Sequence, residues 1–269
     1  MQDYSGFKNI QVEQDGRLLH VELNRPHALN AVGDGLHEEL EEIFAMIGSD
    51  RSVGAVLLTG AGRSFCAGAD IKELEQPDLD GSTPLSRVDN MMSMARRLVR
   101  NQLGIDQPIV AAVQGYAMGL GANLALFCDV VFAAEDAVFA DNHVTVGLVA
   151  GDGGTILWPM LLPLAKAKYY LLTGDRIDGT TAEQLGLIHK AVPADQLLGE
   201  ARALAERLAT GPSLAINGTK RGINKLVRER VELGLDTALF AEGMSFLSED
   251  HQEASLAWVE KRPPVFRGR

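Results

Sequence analysis

The sequence predicts an α/β core followed by an all-helical C-terminal region. Three observations carry this reading. Short apolar runs of buried-strand type alternate with helix-period segments through the first part of the chain. Turn residues and glycine clusters punctuate them. From Thr155 onward helical patterns dominate, and the charge divides in a similar way. Residues 1–199 carry 14 basic and 26 acidic groups, whereas residues 200–269 carry 11 and 10. The expected division is a core at 1–199 and a helical region at 200–269.

The elements follow in order. Ile10–Glu13 and Leu18–Leu23 read as strands joined by the turn Asp15-Gly16, a hairpin signal. Asn24-Arg25-Pro26 stops the second strand. Leu36, Leu40, Ile43 and Ile47 fall at helical spacing with four glutamates on the opposite face, which predicts an amphipathic helix. Val53–Thr59 is a buried-type strand that runs into the glycine-rich segment Gly60 to Gly68. Gln76–Pro84 is polar, holds two prolines and reads as a surface loop. Leu85–Leu103 is a helix. Ile109–Val113 and Val130–Ala134 are strands, with a short helix at Leu120–Phe127 between them. Helices are expected at Thr155–Leu162, Ala165–Leu172, Thr181–Leu187, Asp195–Ala209, Ser213–Arg228, Val231–Leu247 and His251–Glu260.

Composition narrows the function. Of 269 residues, 46% are hydrophobic and 23% charged, so the chain can build a folded core and is not a disordered one. Two cysteines, Cys66 and Cys128, are too few for a disulfide framework or a cysteine zinc site, and no metal is expected. A net charge of −11 opposes nucleic-acid and anionic-membrane binding. Gln107 to Cys128 is uncharged over 22 residues, yet Pro108, Gln114, the glycines Gly115, Gly119 and Gly121, and Asn123 fit a strand, turn and helix better than a membrane span. The polar N-terminus carries no secretory pattern, so the expected location is cytoplasmic.

Three glycine-marked segments are candidates for chemistry. The first, Gly60 to Lys72, lets a ligand approach the backbone closely, although it has neither a P-loop nor a dinucleotide fingerprint. The second, Gln114 to Asn123, leads a strand into a helix whose first N–H groups can face an anion or a developing oxyanion. The third runs from Phe139 through His143 to Gly154. His143 titrates near neutrality and suits general-base work, and Asp152 stands where it can orient the ring. His20, His27, His37, His189 and His251 have no such context and read as hydrogen-bonded structural residues.

Taken together, the motifs resemble the crotonase superfamily, the enoyl-CoA hydratase/isomerase family. They include Leu23-Asn24-Arg25-Pro26, Ser64-Phe65-Cys66-Ala67-Gly68-Ala69-Asp70-Ile71-Lys72, Gln114-Gly115-Tyr116-Ala117-Met118-Gly119, Gly151-Asp152-Gly153-Gly154-Thr155 and Ala182-Glu183-Gln184-Leu185-Gly186-Leu187. The resemblance implies a spiral of ββα units with C-terminal helices that drive trimer formation, as a homotrimer or a dimer of trimers. It also implies a coenzyme A thioester as substrate, with no tightly bound cofactor. Backbone N–H groups of Ala69 and Leu120 would form the oxyanion hole. Arg25, Ala28, Ala67, Asp70, Ile71 and Lys72 would contact coenzyme A.

The departures from the family pattern are informative. Hydratases of this family hold water between two glutamates, and those positions are Asn123 and His143 here. An amide exchanges no proton as an acid or base, so His143 with Asp152 must carry the chemistry. This pair resembles that of the crotonase-fold β-diketone hydrolases. It implies hydrolysis of a C–C bond in a β-dicarbonyl substrate, with His143 activating water and Asp152 fixing its tautomer. Enoyl-CoA isomerisation or a divergent hydration is the alternative. A different class, RNA binding through the basic run Lys220 to Arg230, is disfavoured by the acidic net charge.

Overall fold

The computed structural model describes residues 2–70 and 83–269. The expected loop at Gln76–Pro84 falls almost wholly outside the described residues. The hairpin forms as β1 (Ile10–Asp15) and β2 (Leu18–Leu23), antiparallel with Ile10 opposite Leu23. A parallel series continues through β3 (Ala55–Gly60), β4 (Ile109–Val113), β6 (Val130–Ala134) and β9 (Lys190–Val192). The resulting sheet has the order β1-β2-β3-β4-β6-β9. Every residue of β3 and β4 is buried, as continuous apolar runs covered on both faces require. Helices α1 (Leu36–Ser49) and α2 (Pro84–Gly104) pack against each other, and α7 (Leu197–Ala209) packs on β3, β4 and β6.

A second, small sheet was not legible as strands. It joins β5 (Tyr116–Met118), β7 (Val138–Ala140) and β8 (Ile177–Asp178). Strand β4 in the large sheet is followed by β5 in the small one and then by α3 (Leu120–Leu126). Strands β6 and β7 repeat the step, followed by α4 (Gly154–Leu161). This is the ββα spiral that the motifs imply. Helices α5 (Leu164–Thr173) and α6 (Gly179–Leu185) complete the middle of the chain.

Two expectations change. The helices read as Ser213–Arg228 and Val231–Leu247 are one element, α8 (Ser213–Phe246), of 34 residues. Glu229 and Arg230 between them are good helix formers, so nothing interrupts the helix. The division expected at 199/200 falls inside α7. The face of α7 formed by Leu197, Ala201, Ala205 and Ala209 is buried against the sheet, so this helix belongs to the core. The extension begins with α8 and ends with α9 (Glu249–Val259). No described helix is long and apolar enough to cross a membrane.

The basic run on α8 is largely engaged within the protein. Lys220 is buried and pairs with Asp129 at 2.6 Å, and its Nζ donates to the Gln107 carbonyl at 2.8 Å. Arg221 pairs with Asp106, Lys225 with Glu229, and Arg228 donates to the Leu103 carbonyl.

Candidate active site

The site forms where four segments meet. Backbone hydrogen bonds lay the segment around Cys66 along β5: Cys66 N–H donates to the Tyr116 carbonyl at 2.9 Å, and Met118 N–H donates to the Cys66 carbonyl at 3.0 Å. Gly119 then turns the chain into α3 with φ at +51°, a conformation that strains any other residue. A side chain there would also come within 3.4 Å of the His143 ring carbon Cε1. Leu120 is the first residue of α3, so its N–H has no acceptor within the helix. Neither Ala69 nor Leu120 donates to a turn, loop or cap carbonyl among the described residues. The two amides predicted for an oxyanion hole are therefore brought to adjoining segments, beside the imidazole.

His143 lies at the start of a short 3-10 turn, His143–Val146, just after β7. Its Nδ1 is 2.6 Å from Asp141 Oδ1. Its Nε2 is 3.4 Å from Asp152 Oδ2. The buried Asn123 amide on α3 donates to Asp152 Oδ1 at 2.7 Å and to Asp141 Oδ2 at 3.3 Å, so it clamps the two carboxylates in place. Asn123 thus has a positioning role in the geometry, and its own Oδ1 is buried with no hydrogen-bond partner.

This arrangement corrects the expected division of labour. Asp152 was expected to orient the ring, but Asp141 does so. Asp141 precedes His143 by two residues on the same segment, so its carboxyl reaches Nδ1. Asp152 arrives from the glycine turn and meets the opposite, Nε2 edge. Sequence reasoning also missed Glu242. This residue of α8 is only 5% exposed and lies 3.8 Å from His143 Nε2. A signal for it existed: Val231, Leu235, Leu239 and Glu242 form the buried stripe of the helix.

The electrostatics follow from this packing. Burial disfavours a charged imidazole, but the Asp152 and Asp141 carboxylates outweigh it and hold the His143 pKa well above its ordinary value. The two carboxylates thus favour the protonated ring. Burial also disfavours ionised Asp152, yet the charge and hydrogen bond of His143 and the Asn123 amide keep its pKa below the usual carboxylate value. Glu242 goes the other way: burial and then the Asp152 charge push it up to about 8. Asp141, His143 and Asp152 also present ligand atoms within 4.8 Å of one another, a spacing a divalent cation could use.

The residues expected to hold coenzyme A also gather. Arg25 is buried, pairs with Asp70 at 3.1 Å and donates to the Ala31 carbonyl. Ala28 lies in the 3-10 turn Pro26–Ala28, Ala67 N–H donates to the Leu29 carbonyl, and Asp70 N–H donates to the Val32 carbonyl. Ile71 and Lys72 lie outside the described residues. Cys66 is fully buried, and burial pushes its thiol up to about 12, so it packs rather than reacts.

A family model described as "Enoyl-CoA hydratase/isomerase" matches residues 13–269. The chain belongs to the enoyl-CoA hydratase/isomerase family. It is 34% identical over 266 residues to a protein from Dictyostelium discoideum named probable enoyl-CoA hydratase, mitochondrial, covering 99% of this chain and 93% of that one. It is 35% identical over 262 residues to the 1,2-epoxyphenylacetyl-CoA isomerase of Escherichia coli K12, covering 94% of this chain and 98% of that one. A crystal structure of an enoyl-CoA hydratase/isomerase from Mycobacterium paratuberculosis superimposes with a TM-score of 0.87 at 39% identity, over 94% of this chain and 99% of that one. As an enoyl-CoA hydratase/isomerase family member, the protein is an acyl-CoA enzyme with the crotonase fold expected from the motifs.

Proposed function

We propose that this enzyme hydrolyses the C–C bond of a β-dicarbonyl substrate, such as a 3-oxoacyl-CoA, through the Asp152–His143 pair. The observation that carries the reading is a carboxylate and an imidazole 3.4 Å apart beside the Gly119 turn, where relatives with hydration chemistry would need two glutamates. One group is ready to accept a proton and the other to donate one. With carboxylates at both ring nitrogens favouring the protonated imidazole, Asp152 is the proposed first base in place of neutral His143.

The proposed reaction balances as follows. Asp152 takes a proton from water as the water oxygen bonds to the 3-carbonyl carbon. The C2–C3 bond breaks, and its electron pair becomes the enolate of the shorter thioester. The Ala69 and Leu120 N–H groups hold the enolate oxygen, and loss of one such donor typically costs about 2.7–4 kcal/mol. His143 protonates C2, and the proton on Asp152 then passes to His143. The products are a carboxylic acid and a shorter acyl-CoA.

Two supporting parts belong to the same proposal. The Arg25–Ala28 turn, lying against Ala67–Asp70, would receive the coenzyme A portion. Exposed Leu233, Phe240, Met244 and Trp258 on α8 and α9 leave apolar surface suited to further copies of the chain, in a trimer or a dimer of trimers. Hydration of a 2-enoyl-CoA is a second reading, since the same paired groups could hold a water.

Incubation in H2-18O with 3-oxoacyl-CoAs, cyclic β-diketones, 2-enoyl-CoAs and 3-enoyl-CoAs, followed by mass spectrometry, tests the proposal. Label in a carboxylic acid fragment supports C–C hydrolysis. A labelled 3-hydroxyacyl-CoA as the main product would replace it with hydration, and an unlabelled shifted double bond would replace it with isomerisation.

A further inference from the structure

We propose that the Glu242 carboxyl donates a hydrogen bond to the second carbonyl oxygen of a β-dicarbonyl substrate, and thereby selects such substrates over plain acyl-CoAs. The inference rests on the C–C hydrolysis reading and adds the residue that recognises the substrate class.

The argument begins with position. Glu242 reaches the site from α8, far in sequence from the sheet and the turn it meets. The turn that carries Asp152 packs directly on it. A side chain at Gly151 would come within 2.6 Å of both the Ala238 carbonyl oxygen and Glu242 Oε2, so the glycine makes room for the carboxyl. On its other flank, neighbouring Gly243 packs on Val88 and Met92 of α2, which are apolar. The Glu242 side chain is 6% exposed. Its carboxyl enters no hydrogen bond among the described residues; only its backbone carbonyl accepts one, from Ser245.

Charge comes next. The ionisable groups acting on Glu242 are Asp141 and His143, from the segment after β7, and Asp152, from the glycine turn. Two of these are acids and one is a base. A third ionised carboxylate would be buried without a counter-charge, so the proton stays on Glu242. A neutral carboxyl carries an O–H donor, and here that donor is unused.

Direction completes the argument. Asp141 occupies the Nδ1 edge of the imidazole. The Cε1–Nε2 edge faces Gly119, at the mouth of the oxyanion amides, and Glu242 approaches the same Nε2 atom. A substrate with one oxygen on the Ala69 and Leu120 amides therefore has a second donor within the same site. A 1,3-dicarbonyl has two acceptors to match, whereas a saturated acyl-CoA has one. The same O–H would polarise the carbonyl that water attacks.

The test compares Glu242→Gln, which keeps a donor, with Glu242→Leu, which removes it. Dissociation constants of acetoacetyl-CoA and butyryl-CoA are measured by stopped-flow binding before turnover, with Asp152 intact so that the charge keeping the proton on Glu242 is retained. Glu242→Leu is expected to weaken acetoacetyl-CoA by roughly tenfold and to leave butyryl-CoA unchanged. Glu242→Gln is expected to retain the preference and to remove its decline at alkaline pH. Equal weakening of both ligands by the leucine variant would overturn the proposal, as would a glutamine variant as defective as leucine. Failure of the hydrolysis reading is seen separately, as absence of cleavage products from the unmodified enzyme.

Discussion

Helix α8 carries a buried ionisable side chain near each end, and the two are treated differently. At Lys220 one cation meets Asp129 and the Gln107 carbonyl, and Asp129 also accepts from Ile109 N–H at 2.7 Å. At Glu242 the carboxyl has no hydrogen bond and faces a ring already claimed by two carboxylates. The first cluster is saturated, so it can only hold the helix to the core. The second is short of partners, so it has capacity left for a ligand. Burial alone does not separate a structural charge from a chemical one; unspent hydrogen-bonding capacity does.

The largest effect that could break this contrast concerns Asp152. Asp152→Asn should lower kcat by roughly 10²- to 10⁴-fold while thermal unfolding shows a folded protein. Near-normal turnover would remove Asp152 from the acid–base role. Lys220→Met is expected to act on stability instead. Asp129 is partly exposed and keeps its Ile109 N–H, so losing the ion pair and the bond to the Gln107 carbonyl should cost about 1–2 kcal/mol, read by urea unfolding, with kcat per folded molecule unchanged. A fall in kcat without loss of stability would show that the Lys220 end also serves the reaction.

Asp141→Asn sharpens the comparison within the site. Removing one of the two carboxylates should shift the His143 titration to lower pH, visible by NMR, and reduce kcat less than Asp152→Asn does. An unmoved titration would mean that Asp141 does not govern the ring.

The smallest expected effect is a pH slope. Glu242 has a folded pKa near 8, above its unfolded value of 4.5. The folded state therefore holds this proton more tightly, and stability falls as pH rises between those values. His143, also raised, contributes in the same direction above 6.5. Glu242→Gln should flatten part of the slope in Tm against pH while leaving the His143 part.

Much of the fold was legible because its strands are long enough to carry a pattern. β3, β4 and β6 are apolar runs between glycine or polar breaks, and each was placed within two residues at either end. β5 and β7 were not, since three residues give no periodicity and their pairing spans distant segments. His143 was found because it stands alone in a glycine-marked segment. The edge of its ring that each acid meets was not legible, because spacing of two or nine residues gives no direction. Glu242 was within reach as the one carboxylate on an apolar helical stripe, but nothing in sequence joins that stripe to the glycine turn 91 residues earlier.

That turn has a bearing on how the protein is made. Val149 N–H donates to Ser245 Oγ at 3.1 Å, and Gly151 rests on Ala238 and Glu242. The loop that presents Asp152 is thus braced by residues translated about 90 positions after it. A growing chain can assemble the sheet, the oxyanion turn and His143 while α8 is still unmade. It has no braced Asp152 until α8 has emerged and packed on the turn. A chain cut before α8 would keep much of the core yet lack the support for Asp152, so reactivity waits on a helix that holds neither the oxyanion amides nor the imidazole.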